Sequence, residues 1–324
     1  MKKSIVFRQY FEVWIETYKK PTVAPSTYAK YENSLAHIEK HFGDVQLHQI
    51  TPVSYQNAIN EYAKTHSKLT VSCFHKQMHA CLLDAVDERQ IKTDPSRKAI
   101  ISGRAAEKEK AKYLDYDEWK KLVLATYDTD NIREQIIYLS AVTGLRYAEV
   151  LGLTWDNVDF QQGKLTVSKT WDYKYHKGFI ATKNTGSIRK IDIDNKTIAM
   201  LRRLSLRNKS SDVNRNNLVF HYQEGKQLYS ANTNRFLLHL CEKLGIRKIS
   251  FHSLRHTHAS VLLYLGVSLI SVSKRLGHSN TATTQNIYLH IIKEMENKER
   301  ETILGILGDA FASSWSSVRA KAGY

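Results

Sequence analysis

Apolar residues recur at three- and four-residue steps through much of this chain. In "STYAKYENSLAHIEKHFG", Tyr28, Tyr31, Leu35, Ile38 and Phe42 fall on one face of a helix. Pro25 and Ser26 sit where such a helix starts, and Gly43 where it stops. In "SKLTVSCFHKQMHACLLDAV", Phe74, Met78, Cys81, Leu82 and Val86 form a second such face. The opposite side carries His75, Lys76 and His79, which reads as a solvated face; the competing reading lays that side on a nucleic-acid backbone. Residues 1–103 therefore read as a helical unit. "RAAEKEKAK" (104–112) is charged, has no large apolar group, and reads as a linker.

A mixed unit begins near Tyr113. "DEWKKLVLATY" and "NIREQIIYLSAV" carry helical periodicity, whereas "KLTVSKTWDY" and "SIRKIDID" alternate and are rich in β-branched residues, as strands are. The connection between these strands, about residues 172–187, is long and basic, and long hairpin loops in compact domains tend to be functional. From Asn195 onward the pattern is mainly helical. The fold class expected is mainly α with a small antiparallel β-sheet. In the last stretch, 301–324, Ile303, Ile306, Leu307, Phe311 and Trp315 have near-helical spacing, which suits a helix packed on its own domain.

Charge changes this picture. The chain of 324 residues has 48 Lys+Arg against 32 Asp+Glu, a net +16. Residues 1–103 hold 14 basic and 10 acidic groups, and the remainder 34 and 22. Such an excess points to a polyanionic partner, although a basic soluble protein without one has the same balance. No apolar run approaches a membrane span, and the start "MKKSIVFRQYFEVW" lacks the pattern of a signal peptide, so an intracellular, soluble protein is expected. Cys73, Cys81 and Cys241 form no CxxC pair and read as buried thiols of a reducing compartment.

Three segments carry candidate chemistry. In "FHSLRHTHAS" a helix would place His252, Arg255 and His256 on one side. His252 and His256 have two-histidine metal spacing, but Ser253 stands where an HExxH site has its glutamate, and the fixed charge of Arg255 repels a cation. A phosphate suits the group better: arginine offers a planar fork for two oxygens and histidine a proton donor or acceptor. In "TGLRYAEVLGLTW", Arg146 opens an apolar periodic stretch, a place for an anion at a helix start, with Glu149 one turn on to orient it. In "RLGHSNTATTQNIYLH", Gly277 supplies a turn beside His278, and Asn280 or Thr281 is placed to cap a helix leading to Tyr288. For each arginine, and for one tyrosine among eighteen, packing or plain surface exposure is the competing reading.

Taken in order, "TGLRYAEVLGLTW", "HSLRHTHAS", "LGHSN" and Tyr288 resemble the tyrosine recombinase, or phage-integrase, family. The four motifs span about 140 residues, and the likeness covers nearly the whole chain. The resemblance implies that residues 1–103 are a helical SAM-like core-binding domain and 113–300 a mixed α+β catalytic domain. It implies that Arg146 and Arg255 grip the scissile phosphate, that Tyr288 is the nucleophile of a 3′-phosphotyrosyl link, and that His252 transfers a proton. His278 falls where the family has a His or Trp touching the phosphate, and Glu149 at its acidic support. Lys183, in "ATKNTGSIRKIDI", fits the hairpin lysine that protonates the departing 5′ oxygen, with Lys174 and Lys177 nearby. Lys76, Lys174, Lys177 and Arg189 are candidate DNA contacts. His256 and His258 are expected to be structural. No metal or other cofactor is implied.

The partners implied are double-stranded DNA at specific core sites and three further copies of the chain, in a homotetramer on DNA that is a monomer or weak oligomer without it. A directionality factor or DNA-bending protein belongs to the same expectation, and a membrane does not. Residues 301–324 would then dock on a neighbouring subunit rather than on their own domain. The expected role is integration or excision of a phage or mobile element, in the bacterial cytoplasm and acting at the nucleoid. A type IB topoisomerase uses a similar residue set, and a DNA-binding protein that has lost catalysis is the reading from another class. Many mobile-element integrases have an additional arm-binding domain ahead of the core-binding pattern. Here that pattern begins almost at Met1, so such a domain is either not needed or was removed.

Overall fold

Helix boundaries in the computed structural model follow the capping residues in the sequence. It describes residues 5–105, 113–175, 178–182, 185–208, 214, 216–221, 228–277 and 304. The chain divides into two compact units, Met1–Glu109 and Lys110–Tyr324.

In the first unit α1 (Phe7–Trp14) runs into a π-helical turn, Ile15–Lys19. Helix α2 (Pro25–Phe42) begins with Pro25 in its first turn and stops at Gly43, where φ is +52°. Thr51 and Ser67 cap α3 (Pro52–Ala63) and α4 (Lys68–Asp87), each accepting a backbone N–H three residues on. The helices close over Phe7, Phe11, Trp14, Ile38, Tyr55, Ile59, Met78 and Leu82. On α2 the core takes Ile38 and Phe42, with Tyr28, Tyr31 and Leu35 at its margin. On α4 the buried set is Val71, Phe74, Met78, Cys81, Leu82 and Ala85, and Val86 is only half-buried.

Two expectations for α4 need correction. His75 and His79 are not on a solvated face. His75 Nδ1 meets the Tyr55 hydroxyl at 2.9 Å, and His79 Nδ1 meets Ser96 Oγ at 2.7 Å and Asp94 Oδ2 at 3.0 Å. Lys76 alone of the three is exposed. Cys73 is exposed as well, one position off the buried stripe, while Cys81 and Cys241 are buried thiols. Arg104 is held to the first unit by its backbone N–H, which donates to His66 O at 2.8 Å.

In the second unit Asp115 caps α5 (Tyr116–Tyr127), with Glu118 closing the capping box. Helix α6 (Ile132–Thr143) buries residues on every side, including Gln135, Ser140 and Thr143. That marks it as the central helix of the unit. The short α7 (Tyr147–Leu151) leads to β1 (Val158–Asp159), β2 (Lys164–Val167), β3 (Lys169–Trp171), β4 (Phe179–Ala181) and β5 (Arg189–Asp192). The stretch expected as one strand is thus two, which part into separate sheets. β2 lies between β1 and β5, all antiparallel, with Leu165 opposite Ile191, whereas β3 pairs with β4 from within the long connection. Helices α8 (Asn195–Asn208), α9 (Ser230–Lys243), α10 (Phe251–Tyr264) and α11 (Leu269–Leu276) follow. The architecture is mainly helical with small antiparallel sheets. Among the described residues no helix is long and apolar enough to cross a membrane.

Candidate active site

Five segments of the second unit meet through arginine side chains: the ends of α6 and α11, the starts of α7 and α10, and β5. Arg146 is the N-cap residue of α7 and Glu149 the third residue inside it. The Glu149 carboxylate reaches back to the helix start. Its Oε2 accepts the Arg146 backbone N–H at 2.9 Å, and its Oε1 accepts Arg146 Nη1 at 2.8 Å. Burial alone would raise the Glu149 pKa. The hydrogen bonds and charge of Arg189, then the charge of Arg146, overcome this and hold the carboxyl below its ordinary range. The Arg146 side chain stays 37% exposed, so its fork remains within reach of a ligand.

Ser250 caps α10, its hydroxyl accepting the Ser253 N–H. The helix places His252, Arg255 and His256 on one side, but at different depths: His252 is exposed, His256 half-buried and Arg255 buried. Arg255 Nη1 donates to Gly144 O at 2.9 Å, and Nη2 donates to Leu276 O. These carbonyls stand at the C-terminal ends of α6 and α11, where unsatisfied C=O groups concentrate negative charge. One cation therefore caps two helices and fixes the spacing of the turns that carry Arg146 and Gly277.

Both turns need glycine. Gly144 and Gly277 are left-handed, with φ of +71° and +70°. A methyl on Gly144 would lie 2.8 Å from His258 Cδ2 and from Leu276 Cδ2.

His252 and His256 pack edge to face, with ring centroids 5.0 Å apart. Desolvation, then the charges of Arg255 and Arg146, lowers the His252 pKa. Desolvation, then His252 and Arg255, pushes His256 down to about 4. Neutral imidazole beside two cations is a proton acceptor. His258 is different: it is buried, its Nδ1 meets Ala141 O at 3.2 Å, and its Nε2 accepts from Arg275 Nε at 3.0 Å. Those partners fix the Nδ1–H tautomer. Burial, then Arg275, pushes its pKa down to about 3. His258 is a structural lock.

Of the residues singled out in the sequence, Arg146, Glu149, Arg189, His252 and Arg255 come together here. Lys183, Lys177, His278 and Tyr288 lie outside the described residues. Lys174 is exposed in the turn after β3, its backbone N–H donating to Asp172 Oδ1 at 3.2 Å. Lys76 belongs to the first unit. Arg189 departs from the expected DNA contact: its side chain is 6% exposed, and its guanidinium donates to Glu149, Ser187 O and Arg275 O. The signal was in the strand, since period-two alternation puts Arg189 on the same face as the buried Ile191. Sequence reasoning missed Arg275, whose fork also donates to Asp192 O and Val142 O. Among the described residues no cluster of His, Cys, Asp and Glu is arranged for a metal. An arginine-lined site with neutral histidines suits an oxyanion.

Residues 112–295 match the phage integrase family, and residues 6–63 match the phage integrase N-terminal SAM-like domain. Among curated proteins the chain is similar to a tyrosine recombinase XerC-like protein of Caldanaerobacter subterraneus subsp. tengcongensis. The two are 27% identical over 93% of this chain and 83% of that protein. It is also similar to the integrase of Staphylococcus phage L54a, 26% identical over 91% of this chain and 92% of the relative. Among solved structures, the Tn1549 transposon integrase in complex with transposon right-end DNA has the same fold. Its TM-score is 0.75 at 18% identity, over 92% of this chain and 99% of that one.

Proposed function

This chain belongs to the phage integrase family of site-specific tyrosine recombinases, enzymes that cleave and rejoin DNA, and from that premise we propose which of its residues do the work. Arg146 and Arg255 hold the non-bridging oxygens of one scissile phosphate and stabilise the charge that builds in the transition state. The Tyr288 phenol oxygen attacks phosphorus: the Oη–P bond forms as the P–O5′ bond breaks. The phenol proton passes to His252, and Lys183 supplies a proton to the departing oxygen, which leaves as a 5′-hydroxyl. His278 adds a phosphate contact. One ester is exchanged for another, so rejoining needs no ATP.

The observation that carries this reading is that Arg255, on the helix of His252, is bonded to the Gly144 carbonyl, two residues before Arg146, so that one arginine ties the Arg146 turn to the His252 helix. Both arginines are tied to fixed groups, Arg146 to Glu149 and Arg255 to two carbonyls, so little reorganisation is left for the moment of reaction. The substrate is duplex DNA at core sites, bound by a helical domain of residues 1–103 and a catalytic domain of 113–300 joined through 104–112. The active assembly is a tetramer in the bacterial cytoplasm, with 301–324 docking on a neighbouring subunit. Directionality or DNA-bending proteins act on that assembly, and the outcome is integration or excision of a mobile element.

Nicked DNA from the ends of the parent element, mixed with the protein and denatured in detergent, should yield a shifted protein–DNA band. Tyr288→Phe should yield none. Relaxation of supercoils without strand exchange would point instead to a topoisomerase. Tight binding with no adduct on either strand would leave a DNA-binding protein.

A further inference from the structure

Glu149 is more than an acid beside Arg146. A carboxylate offers about four lone-pair positions, and all are filled here by two arginines. Oε1 accepts Arg146 Nη1 at 2.8 Å and Arg189 Nη1 at 3.1 Å. Oε2 accepts the Arg146 backbone N–H at 2.9 Å and Arg189 Nη2 at 3.0 Å. The carboxylate is 2% exposed, so water is no substitute for either partner. Among the described residues, Nε and Nη2 of Arg146 meet no acceptor.

Arg189 is anchored at its other end. Its Nε donates to Arg275 O at 2.7 Å, in the last turn of α11, and its Nη1 also donates to Ser187 O at 3.0 Å. Its stem lies against the following turn, since a methyl on Gly277 would sit 3.0 Å from Arg189 Cδ. One rigid fork therefore joins β5, the carboxylate that holds Arg146, and the turn leading to His278.

We propose that Arg189 is a positioning residue for Arg146, acting through the Glu149 carboxylate; this rests on the phosphate-gripping role given to Arg146 above. With Arg189 in place, Glu149 is saturated and takes only one guanidinium nitrogen of Arg146. Without it, the buried carboxylate has two vacant acceptor positions. It then either draws the rest of the Arg146 fork inward as a bidentate pair or takes up a proton and lets go. Either change moves Arg146 off the phosphate, although Arg189 never touches DNA.

The test is a double-mutant cycle read by single-turnover cleavage of a nicked substrate, with DNA affinity measured alongside. Arg189→Gln should slow cleavage by about 10- to 100-fold, the usual effect of losing a partner that orients a reacting group, with affinity for the same DNA little changed. In an Arg146→Ala background, Arg189→Gln should have almost no further effect, within about twofold. Should Arg189→Gln fail to fold, the cycle is run on Arg189→Lys. That variant keeps a charge on Glu149 but not the fork, and should slow cleavage by less while collapsing in the same background. Defects that multiply, cleavage at the wild-type rate, or affinity lost in step with cleavage would each overturn the proposal. A wild-type protein that leaves no adduct sinks the functional reading along with it; a wild-type adduct with multiplying defects sinks the positioning role alone.

Discussion

Helices α4 and α10 each carry a histidine pair at four-residue spacing, and the two pairs have come to different ends. On α4, His75 and His79 stack with centroids 5.4 Å apart, among a tyrosine hydroxyl, a serine and the Asp94 carboxylate. The hydrogen-bond and ion-pair partners there are neutral or acidic, and Asp94 Oδ1 accepts both the N–H and the hydroxyl of Ser96. On α10, His252 and His256 stand beside Arg255, and Arg146 reaches His252 from another segment. Spacing does not separate the two pairs. The sign of the neighbouring charge does. A histidine beside a carboxylate is satisfied within the fold. His252 and His256, kept neutral first by desolvation and then by neighbouring charge, stand where those arginines would draw an anion.

The largest test of this contrast compares Arg255→Ala with His79→Ala. Losing Arg255 removes a proposed phosphate donor, which should cost about 10²- to 10³-fold in cleavage rate. It also strips the Gly144 and Leu276 carbonyls of their partner, for roughly 1–3 kcal/mol of stability at each group left unsatisfied. Urea melts and single-turnover cleavage read the two losses separately. His79→Ala should lose stability alone, about 1–2 kcal/mol, and cleave normally once folded. A His79 variant that bound DNA yet no longer cleaved it would break the comparison.

Next in size is a pH effect whose largest contributor lies in the arginine-rich unit. An unfolded histidine titrates near 6.5, and folded His258 at about 3. Between those values the unfolded chain binds the additional proton, so stability falls as pH falls through that window. From pH 6.5 to 5 the loss from His258 is about 2 kcal/mol. His256, pushed to about 4, acts in the same direction. Denaturant melts at pH 7 and pH 5 should show the decline. In a His258→Gln variant the decline should shrink by about that amount and leave the His256 share, and an undiminished decline would show that His258 contributes nothing to it.

Gly277→Ala is smaller. The left-handed backbone at φ +70° costs a non-glycine residue roughly 1–2 kcal/mol. The new methyl meets Arg189 Cδ and Gly186 O at 3.0 Å. If Arg189 positions Arg146, this variant should lose cleavage beyond its loss of stability. Normal cleavage after a stability loss of that size would leave the Gly277 turn structural only.

The sequence made the helices legible because their caps and stripes are local. Pro25 sits at the observed start of α2 and Gly43 just past its end, whereas the caps Thr51, Ser67, Asp115 and Ser250 emerge from the structure. It made the strands legible but not their pairing: β3 leaves β2 for a partner inside the long connection, and pairing is a long-range choice that propensity does not encode. In the site, Arg146, Glu149, His252 and Arg255 were legible from motif order. The roles of Arg189 and Arg275 were not. Both point at backbone carbonyls of distant segments, and a carbonyl has no residue type to read in a sequence. His75 and His79 were misread for a related reason: Tyr55, Asp94 and Ser96 lie 15 to 20 residues away along the chain.

The smallest effect falls on the first unit and sharpens the contrast from its other side. Lys76 lies on α4 beside His75 and His79, but unlike them it is exposed, so it is the group there that remains for a DNA backbone. A lysine that neutralises one phosphate contributes about 0.9 to the slope of log affinity against log salt, because one counterion stays released while it is bound. Lys76→Gln should therefore reduce that slope by about one and weaken binding by a similar factor on cognate and unrelated duplexes. Cleavage of fully bound substrate should not change, since no bond to the reacting phosphate is lost. Binding titrations from low to moderate salt on both duplexes measure all of this. An unchanged slope would mean that Lys76 faces solvent even on DNA, leaving α4 with no role beyond its core and its histidine cluster. A loss confined to the cognate duplex would mean that α4 reads bases, and the division between a satisfied first-unit pair and an anion-facing second-unit pair would have to be redrawn.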